Sequence, residues 1–293
     1  VVTTAGGAIA SGATTLKILS LVILLATGSA LAATQGVELA KSARAAQDRG
    51  DLAAAIHLYT QAISAGDLSP ENLAIVLNGR GIVYWRMGQL DQAIADYNKA
   101  IATEPNYVPA YDGRALAYRD KNLTEKAIAD YDTALRLDPE DAFAYENRGR
   151  AELHLGRIEA AIEDLSMVVA LEPDDPYSVL WLHLARAWAR QDDAREYSRN
   201  AEKLDRTAWP RPIIDLFLGT KSAADVRAAA EAATDGNARR ANLCEADFYV
   251  GAYHLLRGER DEAGRRFKAA AEGCLSYSVE GTAAKAQLKN LGQ

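Results

Sequence analysis

Histidine, cysteine, methionine and phenylalanine are all scarce: the 293 residues hold four His, two Cys, two Met and four Phe. His57, His154, His183 and His254 are scattered, and no cluster has metal-ligand spacing, so no metal is expected. Missing too are a nucleophile elbow, a phosphate loop, a His-Glu-x-x-His helix and any catalytic dyad spacing. No catalytic residue, no cofactor and no enzymatic activity are therefore expected. Positive charge is in deficit, with 33 Lys plus Arg against 40 Asp plus Glu and a formal net charge of −7. Such a chain has no bulk attraction for nucleic acid or anionic lipid. What remains is 49% hydrophobic and rich in alanine, which suits closely packed helices and a sizeable core.

One long apolar run is present. Lys17 precedes Ile18-Leu19-Ser20-Leu21-Val22-Ile23-Leu24-Leu25-Ala26, and Ala30-Leu31-Ala32 follows. A cation, a short apolar stretch and a small-x-small site make an export signal over 1–32, cleaved after Ala32. The run is short for a bilayer span of about 20 residues. The chain is expected in the periplasm, or held at the membrane if the signal stays uncleaved. No Cys lies near the cleavage point, which excludes lipid attachment there.

Pro105, Pro139 and Pro173 recur every 34 residues, together with Ala93, Ala127 and Ala161, and with Tyr97, Tyr131 and Leu165. Gly88, Asn122 and Gly156 keep the same interval. A fixed long period in several residue types marks a repeat array. Each unit reads as helix, tight turn, helix and a Pro stop. Small residues at Gly81, Ala115 and Gly149 face those alanines and let paired helices approach. Tyr84, Ala93, Tyr97, Ala100 and Pro105 match the tetratricopeptide repeat. The expected fold is all-α, a right-handed tetratricopeptide-repeat solenoid of antiparallel helix pairs with a C-terminal capping helix. Four repeats span 36–173 and a degenerate repeat without a turn glycine spans 174–208. Trp209-Pro210-Arg211-Pro212 then breaks the chain, and connecting helices at 213–219 and 222–234 fill 209–237. A last repeat, its first helix opened by Cys244, and a cap from Val279 to Leu291 occupy 238–293; an array needs such a cap because each repeat is buried only by its neighbours.

Within the array, Arg80, Arg114 and Arg148 each precede an acid by 16 residues: Asp96, Asp130 and Asp164. Arg and Asp flank each turn evenly and should stand level on antiparallel helices as three structural ion pairs. The outer repeats carry Ser42 with Leu58 and Val250 with Arg266, so both members occur or neither does. Cys244 and Cys274 flank the last turn evenly as well, which brings them to one end of the hairpin. In an exported chain they are expected to form a disulfide, with two buried free thiols as the alternative.

Repeat phase also says which side chains line the concave face of first helices. These are Ile75, Pro109 and Phe143; Asn78, Asp112 and Glu146; Ile82, Leu116 and Arg150; Trp85, Arg119 and Leu153. An apolar floor with polar residues around it suits a peptide, since burial gives affinity and polar groups give register. The line Asn78, Asp112 and Glu146 favours a basic or neutral ligand, and Trp85 is the leading contact. Another part of this chain filling the groove is the alternative.

The second half resembles the bacterial lipoprotein NlpI family. The likeness rests on Asp175-Pro176, Leu180-Trp181-Leu182-His183-Leu184-Ala185, Trp209, Ile214 and Phe217-Leu218-Gly219. It continues through Glu245-Ala246-Asp247-Phe248-Tyr249-Val250-Gly251-Ala252-Tyr253, Gly258, Ala263 and Phe267. The resemblance implies a homodimeric periplasmic adaptor that docks peptidoglycan hydrolases onto a carboxyl-terminal processing protease. This chain lacks that family's lipobox Cys and adds Cys244 and Cys274, so lipid tethering does not follow. The other expected role is an assembly factor or chaperone subunit of a secretion or pilus system.

Overall fold

The computed structural model describes residues 35–275 and 278–292. The export signal and its cleavage point at Ala32 lie outside the described residues. Those residues form helices and no strand. They divide into two compact units, one up to Thr133 and one from Ala134.

The first unit holds α1 (35–48), α2 (Leu52–Ala65), α3 (Pro70–Arg86), α4 (Leu90–Thr103), α5 (Val108–Asp120) and most of α6 (Thr124–Leu137). Its helices pair in order as antiparallel hairpins because short turns leave no other choice. Gly50, Gly88 and Asn122 occupy left-handed backbone at φ 82°, 73° and 59°, which lets each turn close in a few residues. Polar side chains start helices by accepting orphan amides: Asp51 from Ala54 N at 3.1 Å, and Ser69 from Asn72 N at 3.2 Å. Alanine fills the seams, with Ala43, Ala46, Ala55 and Ala62 fully buried.

Tyr97 is the largest fully buried group of its hairpin, and two glycines make room for it. A Cβ on Gly81 would come within 2.7 Å of its ring, and one on Gly113 within 2.5 Å. Gly81 therefore faces an aromatic ring where the sequence pattern suggested an alanine seam.

The second unit begins in the last turn of α6 and continues through α7 (Ala142–His154), α8 (Ile158–Leu171), α9 (Pro176–Trp188) and α10 (Ala194–Ala201). After these come α11 (Arg211–Phe217), α12 (Ala223–Glu231), α13 (Gly236–Leu256), α14 (Arg260–Gly273) and α15 (Val279–Leu291). One continuous core joins Leu165, Leu180, Trp181, Leu184, Ile213, Ile214, Phe248, Tyr249 and Phe267. Helix α15 packs on α13 and α14 and buries Gly281 and Ala284, so it covers the end of the stack.

Element boundaries differ from the sequence reading in two places. The connecting helices are Arg211–Phe217 and Ala223–Glu231, both shorter or earlier than expected because Pro212 sits inside the first turn and Ser222 forms a capping box with Asp225. Helix α13 starts at Gly236, well before Cys244, because Asp235 caps it by accepting from Ala238 N at 2.8 Å. The degenerate repeat is a real hairpin whose turn residue, Arg190, adopts φ 59° in place of glycine.

Candidate protein-binding surface

Three bidentate pairs fix the hairpins before any surface is offered. Arg80 donates Nε and Nη2 to Asp96 at 2.6 and 2.8 Å; Arg114 does the same to Asp130 at 2.7 and 2.6 Å. Arg148 reaches Asp164 at 2.9 and 2.6 Å in the second unit. The acids are nearly sealed, at 4%, 9% and 5% side-chain exposure, so each needs its cation. The carboxylate bonds push the Arg80 and Arg114 guanidinium groups further up from an already high value, against the opposing effect of burial.

The remaining guanidinium nitrogen does something the spacing did not reveal. Nη1 of Arg80 reaches Thr60 on α2 at 2.9 Å, and Nη1 of Arg114 reaches Asn98 on α4 at 2.6 Å. Each arginine thereby closes its own hairpin and ties it to the preceding one. Tyrosine rings lie beside all three cations, Tyr84, Tyr111 with Tyr118, and Tyr145, at 5.6–5.9 Å.

The last hairpin also has such a bond, in reverse. Asp247 on α13 accepts from Arg266 Nη1 on α14 at 3.2 Å, and Glu262 accepts from the same arginine's Nε at 2.9 Å. Arg266 is thus paired without an arginine on the first helix, which corrects the both-or-neither pattern. The disulfide Cys244–Cys274 joins α13 to the end of α14, with Cα atoms 4.9 Å apart, inside the usual range for such a bond.

On the first-helix face of the first unit, Ile75 is 45% exposed. Ile82 and Trp85 are half-buried against Ala93, Tyr97 and Ala117. Trp85 donates Nε1–H to Asp120 Oδ2 at 2.7 Å, and Arg119 donates to the other oxygen at 2.9–3.0 Å. Leu116 and Asp112 are half-buried and Pro109 is exposed. Asn78 is turned inward and only 6% exposed, with its side-chain oxygen buried. It does not contribute to an outward polar line.

On the corresponding face of the second unit, Phe143 is 44% exposed. Glu146 pairs with Arg150 one turn on at 2.6 Å, so the outward acid is answered locally. Burial still pushes the Glu146 carboxyl up from its ordinary range, with Arg150 opposing and Asp175 and Glu172 adding to the rise. His183 holds Asp193 at 3.0 Å beneath the Tyr197 ring, and His254 pairs with Glu259 at 2.5 Å. Among the described residues no group of His, Cys, Asp and Glu is arranged to hold a metal ion. No described helix is long and apolar enough to cross a membrane.

Helical hairpins at this period have well-known relatives. Residues 74–107 and 114–186 each match a family profile described as tetratricopeptide repeat.

The chain carries tetratricopeptide repeats. These repeats mediate contacts between proteins. Among solved structures, a tetratricopeptide repeat protein from Parabacteroides merdae matches with TM-score 0.56 at 20% identity. The match covers 89% of this chain and 100% of that one. The MamA protein matches with TM-score 0.50 at 22% identity, over 59% of this chain and 91% of that one. Both likenesses concern the fold alone. The second repeat domain of the human RPAP3 protein, solved with an HSP70 peptide, is 30% identical over 40% of this chain and 98% of that one, with TM-score 0.38.

Proposed function

We propose that the chain is a non-catalytic periplasmic adaptor that holds other polypeptides on its first-helix faces and couples cell-wall hydrolases to an envelope protease. The observation that carries the binding role is the exposure of Ile75 and Phe143, which occupy equivalent repeat positions. Each stands nearly half open to water and is the most exposed large apolar side chain among the described residues of its unit. An apolar anchor beside polar groups is the arrangement that gives a docked peptide both affinity and register. Trp85, Leu116 and Arg119 extend the anchor at Ile75, and Arg150 and Glu146 flank the one at Phe143. The periplasmic setting is supported by the apolar run before Ala32. The named partner class is supported by the resemblance of the second half to the NlpI family.

The test is in-cell crosslinking from positions 75 and 143, with identification of what is captured. Recovery of a carboxyl-terminal processing protease with peptidoglycan hydrolases is expected. Recovery of a single polymerising subunit would replace this reading with an assembly role, and a cytoplasmic location of the chain would end it.

A further inference from the structure

A recess in the second unit gathers acids from helices far apart in the chain. Glu146 and Arg150 come from α7, Tyr177 from α9, Trp209 from the segment before α11, Glu245 and Tyr249 from α13, and Glu280 from α15. All but Tyr249 are half-buried. Three carboxylates share it with one guanidinium, and that guanidinium is already held by Glu146. Glu245 Oε2 accepts from Trp209 Nε1 at 2.8 Å and from Tyr177 Oη at 2.9 Å, two neutral donors that leave its charge unanswered. Glu280 has its own backbone amide and the Arg150 charge in its favour, against burial and the Glu146 charge.

A second feature is independent of the acids. Tyr249 is fully buried, and its hydroxyl has no hydrogen-bond partner. The charges that act on that hydroxyl are Glu280, Glu245 and Arg150, with Tyr177 beside them, so it lies at the buried side of the recess. A sealed, unpaired hydroxyl among three acids that share one arginine is a set of groups short of one hydrogen-bonding cation. Burial also pushes the Glu245 and Glu280 carboxyls up from their ordinary range, which records the same shortage.

We propose that this recess receives a lysine or arginine side chain of the bound polypeptide, its charge paired by Glu280 and Glu245 and its hydrogen-bonding completed at the Tyr249 hydroxyl. Tyr177 and Trp209 supply aromatic surface for the side chain's methylene stem, as long basic side chains require. A lone divalent ion fits less well, because the described acids are not arranged to hold a metal. The inference rests on the adaptor reading and names the chemistry of what that adaptor recognises.

Trp209 donates its indole N–H to Glu245, so its indole resonance reports directly on the recess. The probe is acetyl-Ala-Lys-Ala-amide titrated into the labelled full chain, with the same peptide acetylated on lysine as control. A saturable shift of the Trp209 indole signal with the lysine peptide alone is expected, weakened about tenfold or more in Glu280→Gln. Equal behaviour of the two peptides, which needs no variant, would overturn the proposal, as would undiminished binding by a folded Glu280→Gln. Capture of envelope partners is measured in parallel. Partners retained without any lysine-specific shift end the recess and leave the adaptor standing. A lysine-specific shift without envelope partners keeps the recess and ends the adaptor.

Discussion

Trp85 and Asp120, 35 residues apart in the chain, are joined by a 2.7 Å hydrogen bond from the indole N–H to a carboxylate oxygen. The bond fixes the indole on the first-helix face of one hairpin against the end of the next, so the ring meets a ligand already oriented. Trp85→Phe keeps the packing on Ala93 and Tyr97 and leaves Asp120 its bonds from Arg119. A loss of about 1 kcal/mol in urea unfolding is expected, with partner capture retained. Trp85→Ala removes the anchor as well and should abolish capture by that unit while the chain stays folded. Capture unchanged in Trp85→Ala would remove Trp85 from the binding surface.

The bidentate pairs make a sharper prediction about asymmetry. Asp130 is 9% exposed and takes two bonds from Arg114, so Asp130→Ala strands a half-buried guanidinium. A cost of about 3–5 kcal/mol is expected, whereas the double change Arg114→Met with Asp130→Leu should cost less than either single change. Equilibrium denaturation of the three variants measures it. A double variant as unstable as the sum of its parts would show no coupling between the two side chains and overturn the prediction.

The 34-residue interval made the hairpins, their turns and the level placement of Arg80 with Asp96 legible, because residues that serve one packing role recur in phase. What escaped it was chemistry that breaks phase. Arg190 stands at the turn interval after Gly156, yet an arginine there hides a left-handed turn that only the register betrays. Asp247 and Arg266 swap the helices that carry cation and acid. Asp235 signalled the true start of α13 as a capping residue, and the stronger attraction of Cys244 as a repeat boundary obscured it. The recess of Glu146, Glu245 and Glu280 was not legible at all, since its members come from a periodic helix and from two helices outside the strict repeat.

Arg190 itself is open to a simple test. It is exposed and carries a φ of 59°, a conformation that costs an ordinary side chain about 1 kcal/mol relative to glycine. Arg190→Gly should therefore stabilise the second unit by about that amount in thermal unfolding. Asn122→Gly, at the same φ, should gain less because asparagine tolerates the left-handed region. A destabilised Arg190→Gly would mean that the turn is not left-handed in solution.

Reduction of the Cys244–Cys274 bond opens a loop with a sequence separation of 30. On the chain-entropy estimate this should cost about 3–4 kcal/mol. A fall in melting temperature with dithiothreitol is expected for the native chain and not for Cys244→Ser with Cys274→Ser, which should start from the lower value. Identical melting with and without reductant would show that the bond contributes nothing to the folded state.

The acids of the recess give the pH dependence a definite sign. Glu280 has its carboxyl pushed up chiefly by burial, with Glu146 adding to the rise and its own amide and Arg150 opposing it. A carboxyl raised in the folded state favours folding while protonated, below its unfolded value, and that contribution is lost as pH rises through the folded value. At neutral pH the native chain thus bears the cost of a desolvated charge. Glu280→Gln removes that charge and keeps the shape, so it should melt higher than the native chain at pH 7.5. As the pH falls through the folded value of Glu280 the native carboxyl takes up its proton and the difference should fade. Melting curves of both chains across pH 4.5 to 8 decide the matter: a variant less stable than the native chain at pH 7.5 would show that Arg150 and the N-terminus of α15 outweigh the burial of that charge.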